Sequence, residues 1–183
     1  MALLKNIDPE GLFEYSVVFT DRSLNHMSQN FQSVMRSLST NLRQVYGSEG
    51  VALIPGGGTF GMEAIARQFA NDQNVLVIRN GWFSFRWSQI FSKGNITSDV
   101  TVLSASPTFD NFQAPFKPIV LEDIISKIRE NKPAVVFAPH VETSAGIMLP
   151  DEYLKGIANA VHAHGGIFVL DCVASGSAWV DMK

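Results

Sequence analysis

The 183-residue sequence has a single cysteine, Cys172, and little net charge. One cysteine excludes an internal disulfide and fits a reducing compartment. Net charge is −3 and charged residues make up 17%, so a polybasic footprint is missing and nucleic acid is excluded as a main partner. No apolar run reaches the roughly 20 residues that a membrane-spanning helix needs. The nearest approach, GIFVLDCVASGSAWV, is broken by Asp171. The start, MALLKNIDPEGLFEY, lacks a secretory pattern, because its apolar run stops at Leu4 and Asp8 and Glu10 follow. These absences lead to the expectation of a soluble, cytoplasmic protein without membrane contact. Hydrophobic residues, at 46%, are plentiful enough for a folded domain with a real core.

The apolar positions alternate between two periods. Residues 24–46 predict a helix, with Phe31, Val34, Met35, Leu38, Leu42, Val45 and Tyr46 on one stripe and Gly47 as its stop. VALIP (51–55) predicts a short strand that leads into a glycine loop, and Thr59 is placed to cap a helix over 60–70. Further strands are predicted over 74–80, 99–105, 134–139 and 166–171, and further helices over 82–94, 120–131 and 151–164. The stretch 106–118, with three prolines, reads as a loop. This βαβ spacing predicts an α/β fold, a mostly parallel sheet with helices on both faces. Ligands in such sheets sit outside the carboxyl ends of the strands, which directs attention to four loops.

The first loop, Gly56-Gly57-Gly58-Thr59, offers bare backbone and a helix start, a combination suited to phosphate. It matches G-x-G-x-x-G through Gly56, Gly58 and Gly61. A dinucleotide also needs an acid at the end of the next strand, whereas VLVIRN ends in Arg79 and Asn80. Arg79 suits a phosphorylated ribose at best, and a flexible turn is the plain alternative. The second loop carries Trp82 and Phe83, which either stack on a planar ring or pack a helix rich in aromatics. The third, HVETSAG (140–146), holds the hydroxyls of Thr143 and Ser144. Its His140-x-Glu142 is half of a zinc deaminase signature whose P-C-x-x-C half cannot exist with one cysteine. The alternative for His140 is a histidine satisfied by backbone bonds. The fourth loop begins at Asp171, a strand-end carboxylate that either meets a cation, such as a protonated ring nitrogen, or caps the next turn. His162 and His164 do not share a helix face and make a poor metal pair. Cys172 lies beside Asp171, whose charge disfavours a thiolate, and reads as core.

A phosphate loop, an aromatic, a hydroxyl and a strand-end aspartate together describe a pocket for pyridoxal phosphate. Through NHMS (25–28), GGGTFGMEA (56–64), NGWFSFR (80–86), HVETSAGI (140–147) and LDCVAS (170–175), the chain resembles the class V aminotransferases of the fold type I pyridoxal phosphate enzymes. The likeness is to their alanine–glyoxylate and serine–glyoxylate group. It implies that Gly57, Gly58 and Thr59 bind the cofactor phosphate, and that Phe83, or Trp82 if the register shifts by one, stacks on the ring. It also implies that Thr143 faces the phenolic oxygen and that Asp171 pairs with the pyridine nitrogen.

The implied reaction moves an amino group from an amino acid to a small 2-oxo acid, glyoxylate or pyruvate, in a homodimer. The stripe over 24–46 then serves either the dimer or the chain's own core. The implied organisation is an N-terminal arm over 1–23, then the first part of the cofactor-binding large domain over 24–183. The rest of that domain and a small domain would lie beyond. Lys183 does not match the family's lysine motif and is not assigned as the covalent anchor, so the chain alone is expected to be inactive. Three alternatives remain: a class V lyase or desulfurase, a nucleotide-binding module built on GGGTFG, and an inactive fragment that serves only as a partner in assembly.

Overall fold

The computed structural model describes residues 26–176 together with 178 and 180. They divide into a first unit, up to Leu53, and a second, from Ile54 to Val180. In the first unit, helix α1 (Gln29–Tyr46) begins where the Ser28 hydroxyl accepts a hydrogen bond from the Phe31 amide at 3.1 Å. That cap explains a start at Gln29 rather than at 24. The helix ends as expected at Gly47, whose φ of 59° lets its N–H return to the Arg43 carbonyl. The apolar stripe is present, yet no residue of α1 is buried.

The second unit runs α2 (Gly58–Phe69), β1 (Val75–Arg79), α3 (Phe85–Gly94), β2 (Val100–Ser104), β3 (Ser106–Pro107), β4 (Phe116–Lys117), α4 (Leu121–Asn131), β5 (Val135–Pro139), β6 (Val141–Glu142), β7 (Ile147–Met148), α5 (Asp151–His162) and β8 (Ile167–Asp171). The long strands form one parallel sheet in the order β2-β1-β5-β8.

Side-chain alternation along β1 and β5 builds the two core layers. Leu76, Ile78, Val136 and Ala138 pack with Ile124 and Ile128 of α4 and Leu154, Ile157 and Val161 of α5. Val75, Val77, Val135 and Phe137 pack with Ala66 of α2 and Trp87, Ile90 and Phe91 of α3. Trp87 and Phe137 meet with ring centroids 4.5 Å apart. Each of the larger of these side chains contributes about 1.5–3 kcal/mol by leaving water. The sheet with helices on both faces is thus as expected from the periodicity.

Four local expectations are corrected. VALIP forms no strand: residues 52–55 are exposed and join no ladder among the described residues. An apolar run makes a strand only where a neighbour accepts its backbone bonds and one face is buried, and here neither condition holds. Thr59 is not the cap of α2; Gly57 is, without a side-chain bond, and Thr59 lies inside the first turn. The helix expected from 82 starts at Phe85, because residues 80–84 are held in a turn, with the Phe85 amide bonded back to the Gly81 carbonyl at 3.1 Å. The expected loop 106–118 contains the short antiparallel pair β3–β4, and the segment 140–146 enters a second such pair, β6–β7.

Candidate functional site

Three of the four loops singled out in the sequence follow adjacent strands. β1, β5 and β8 are neighbours in the sheet, so the segments after Arg79, Pro139 and Asp171 emerge side by side. A backbone bond ties the last two, since the His140 amide donates to the Asp171 carbonyl at 2.9 Å. The glycine loop reaches the same place without a strand: a Cβ built on Gly58 would lie 3.7 Å from Val173, in the turn that follows β8. A Rossmann fingerprint requires a strand leading into its glycines, and that context is missing.

The turn after β1 is organised by one buried carboxylate. Glu142 is fully buried. Its Oε1 accepts the Phe83 amide at 3.1 Å and the Ser144 hydroxyl, and its Oε2 accepts the Ser84 amide at 2.9 Å and the Ser84 hydroxyl at 2.7 Å. The two serines extend the network. Ser84 Oγ accepts the amides of Asn80 (2.9 Å) and Gly81 (3.1 Å), and Ser144 Oγ accepts that of Trp82 (2.8 Å). Every backbone N–H from residue 80 to 84 therefore ends on Glu142, Ser84 or Ser144, an anion nest filled by the protein's own carboxylate. Burial pushes this carboxyl up, but the hydrogen bonds from Ser144, Ser84 and Phe83 outweigh it and hold it below the ordinary carboxylate value. Gly81 is required by close approach: a Cβ there would overlap Ser144 Oγ and lie 2.8 Å from Glu142 Cγ.

The nest sets the surroundings of the predicted ring site. It fixes the backbone of Trp82 and Phe83 while leaving their side chains 64% and 54% exposed, so neither packs in the core. A pocket of about 560 Å³ opens beside Trp82, Phe85, Phe116 and Arg79; Trp82 lines it and Phe83 does not. Thr143 is exposed in the β6–β7 turn, with no hydrogen bond among the described residues.

Asp171 ends β8 half-buried, and its Oδ1 accepts the Val173 amide at 3.0 Å. The turn-capping alternative is thus realised by one carboxylate oxygen. Among the described residues no lysine, arginine or histidine forms an ion pair with it, so the expected cation is not supplied by them. His140 is buried, and its Nδ1 lies 2.7 Å from Ser175 Oγ, which pins the loop after Asp171 to the end of β5. Cys172 is half-buried rather than core. Burial pushes its thiol up, Asp171 adds to that shift and a hydrogen bond with Ser175 opposes it.

At the glycine loop, Gly57, Gly58 and Thr59 are all exposed. Gly56 has φ 132°, a backbone that other residues avoid, and a Cβ on Gly57 would meet nothing within 4 Å. The first helical N–H groups of α2, on Gly58 and Thr59, have no partner among the described residues, and the Phe60 amide bonds back to Gly57. Such donors at a helix N-terminus favour an anion.

Gly57, Gly58 and Thr59 at the start of α2, Phe83 in the turn after β1, Thr143 in the β6–β7 turn and Asp171 as the last residue of β8, all singled out in the sequence, lie at the carboxyl end of the sheet. Glu142, Ser84 and Gly81, which hold that end together, were missed. The signal available was an acid flanked by hydroxyls directly after a buried strand. Among the described residues, no group of three or more His, Cys, Asp or Glu is placed to hold a metal, and no helix is long and apolar enough to cross a membrane.

No family model matches the chain. Its homologues are glyoxylate aminotransferases. It is 29% identical over 167 residues to alanine–glyoxylate aminotransferase 1 of Saccharomyces cerevisiae, covering 84% of this chain and 40% of the yeast protein. It is 27% identical over 148 residues to (S)-ureidoglycine–glyoxylate transaminase of Bacillus subtilis, covering 79% of this chain and 32% of that protein. The chain thus spans two fifths or less of the length of these curated relatives. Among solved structures, alanine–glyoxylate aminotransferase from Nostoc sp. superposes with a TM-score of 0.66 at 25% identity, over 83% of this chain and 38% of that one. The architecture is that of the fold type I aminotransferases.

Proposed function

We propose that this chain is the first part, from residue 24, of the cofactor-binding large domain of a pyridoxal phosphate-dependent aminotransferase. The complete enzyme passes an amino group from an amino acid to a small 2-oxo acid, glyoxylate or pyruvate. The observation that carries this reading is the meeting of three features at the carboxyl end of the sheet: the first N–H groups of α2 and the second oxygen of Asp171, both without a partner among the described residues, and the turn that displays Trp82 and Phe83. The homology to glyoxylate aminotransferases supports it over a nucleotide-binding module, and so does the missing strand before GGGTFG. A lyase or desulfurase outcome has no observation in its favour.

The residues present fit the cofactor. A phosphate dianion needs several N–H donors, which Gly57, Gly58 and Thr59 offer, and no intruding Cβ, which the two glycines provide; the Thr59 hydroxyl is a further donor. The nest at 80–84 cannot take that phosphate, because Glu142 already occupies it. Phe83, or Trp82, offers an exposed face for stacking, and the Thr143 hydroxyl is available to the phenolic oxygen. When bound, the cofactor supplies an electron sink for the carbanion at the substrate α-carbon. Asp171 holds the proton on the pyridine nitrogen, since an opposite charge favours the protonated form. The half-burial of Asp171 strengthens that pairing relative to open water. The covalent anchor is not assigned to Lys183, so this chain's residues bind and polarise, and the rest of the enzyme completes the reaction.

We also take the enzyme to be cytoplasmic and a homodimer, with the unburied apolar stripe of α1 as a surface suited to a second copy. The test is the visible spectrum of the complete protein loaded with pyridoxal phosphate. A band abolished by borohydride is expected. A colourless protein that instead binds a dinucleotide tightly would overturn the proposal.

A further inference from the structure

We infer that Glu142 is a positioning residue: it locks the turn at 80–84 onto the β6–β7 hairpin, so that the aromatic platform at 82–83 and the Thr143 hydroxyl address a bound ring as one rigid unit. The tether itself stands on the geometry alone, and its service to the cofactor rests on the proposed function.

Each Glu142 oxygen accepts one backbone N–H and one hydroxyl, so all four bonds need acceptors on both oxygens. An amide has only one acceptor oxygen. Whichever way a glutamine is turned, its NH₂ faces the N–H of either Phe83 or Ser84. A carboxylate is therefore required where an isosteric neutral group would fit the space. The partners on the turn lie 58 and 59 residues away in the chain, so the acid does not serve its own hairpin alone; it joins two strand ends. The bare backbone of Gly81 lets the carboxylate stem approach, and Ser144 closes the unit by holding the Trp82 amide. The neighbour of Glu142 in sequence is Thr143, so a displacement of one element carries the other.

The experiment compares the complete wild-type protein with Glu142→Gln, Glu142→Asp and the milder Ser144→Ala. Two readouts are taken: amide hydrogen exchange at 82–84 without cofactor, and pyridoxal phosphate affinity together with the induced circular dichroism of its visible band. Glu142→Gln is expected to speed exchange at Phe83 or Ser84 by at least about tenfold, the usual worth of a hydrogen bond to a charged group, while β5 stays protected. It should also weaken cofactor binding and diminish the dichroism. Glu142→Asp should restore part of both effects, and Ser144→Ala should release the Trp82 amide without unfolding the chain. Unchanged exchange in Glu142→Gln would overturn the tether. Faster exchange with unaltered affinity and dichroism would overturn the positioning role and leave a purely structural acid. A wild-type protein that binds no pyridoxal phosphate would overturn the positioning role together with the proposed function, and the exchange data would still show whether the tether exists.

Discussion

Glu142 and Ser84, 58 residues apart in the chain, are joined twice: the carboxylate oxygen Oε2 accepts both the amide and the hydroxyl of Ser84. Through this pair the ends of β1 and β5 form one unit. Replacing Glu142 by alanine strands donors in a buried place and is expected to cost roughly 2–4 kcal/mol of folding stability. Chemical denaturation measures it, and a loss below about 1 kcal/mol would show that water replaces the carboxylate without penalty.

The same pair predicts a pH dependence. The folded carboxyl of Glu142 lies below its ordinary value of 4.5. Its contribution is complete above that unfolded value and is lost as pH falls through the lower, folded one. Stability curves from neutral pH into acid should therefore fall more steeply for the wild type than for Glu142→Gln. Parallel curves would contradict the shift.

Gly81→Ala places a methyl group against the Glu142 stem, which cannot swing away without breaking its bonds. Destabilisation of about 1–3 kcal/mol is expected, as for overpacking in a core. Gly58→Ala is the contrasting case. Its Cβ meets only Val173, at the ordinary distance of 3.7 Å, and alanine favours a helix, so the fold should be kept or slightly stabilised. Pyridoxal phosphate should nonetheless bind at least about tenfold more weakly, because the methyl narrows the phosphate cradle. Thermal melts and cofactor titrations on the two variants separate these effects.

Asp171→Ala in the complete enzyme should lower turnover by about 10²-fold or more, the scale for removing a preorganised charge partner, with a much smaller loss of phosphate affinity. Steady-state rates alongside cofactor titration give the ratio, and retention of the wild-type rate would refute the role.

Cys172 should react slowly with thiol reagents near neutral pH, since burial and Asp171 both disfavour its thiolate. Asp171→Asn should speed the reaction modestly. A wild-type rate equal to that of a free thiol would contradict the assignment.

The sheet was legible because its information is local. Val75 to Ile78 and Val135 to Ala138 are unbroken apolar runs, and only strands buried on both faces need them. VALIP carries the same local pattern and forms no strand, because pairing depends on a neighbour that composition does not reveal. The start of α2 shifted to Gly58 for a similar reason: cap preference favours Thr59, but the glycine backbone was free to turn earlier. The individual site residues were readable as strand-end chemistry. Glu142 was not, since its partners are backbone N–H groups on another strand, and backbone donors leave no mark in a sequence. The hint available is an acid followed by the hydroxyls of Thr143 and Ser144 directly after a buried strand, together with a bare Gly81 and Ser84 on the other turn.

The carboxyl end of the sheet is proposed to grip phosphate at α2 and ring nitrogen at Asp171. A crystal structure of the complete enzyme with pyridoxal phosphate tests this most directly. Phosphate oxygens are expected within hydrogen-bond reach of the Gly58 and Thr59 amides, with the Asp171 carboxylate on the pyridine nitrogen and residue 82 or 83 against the ring. A cofactor seated elsewhere, or an Asp171 turned to solvent beside an unpaired nitrogen, would contradict it.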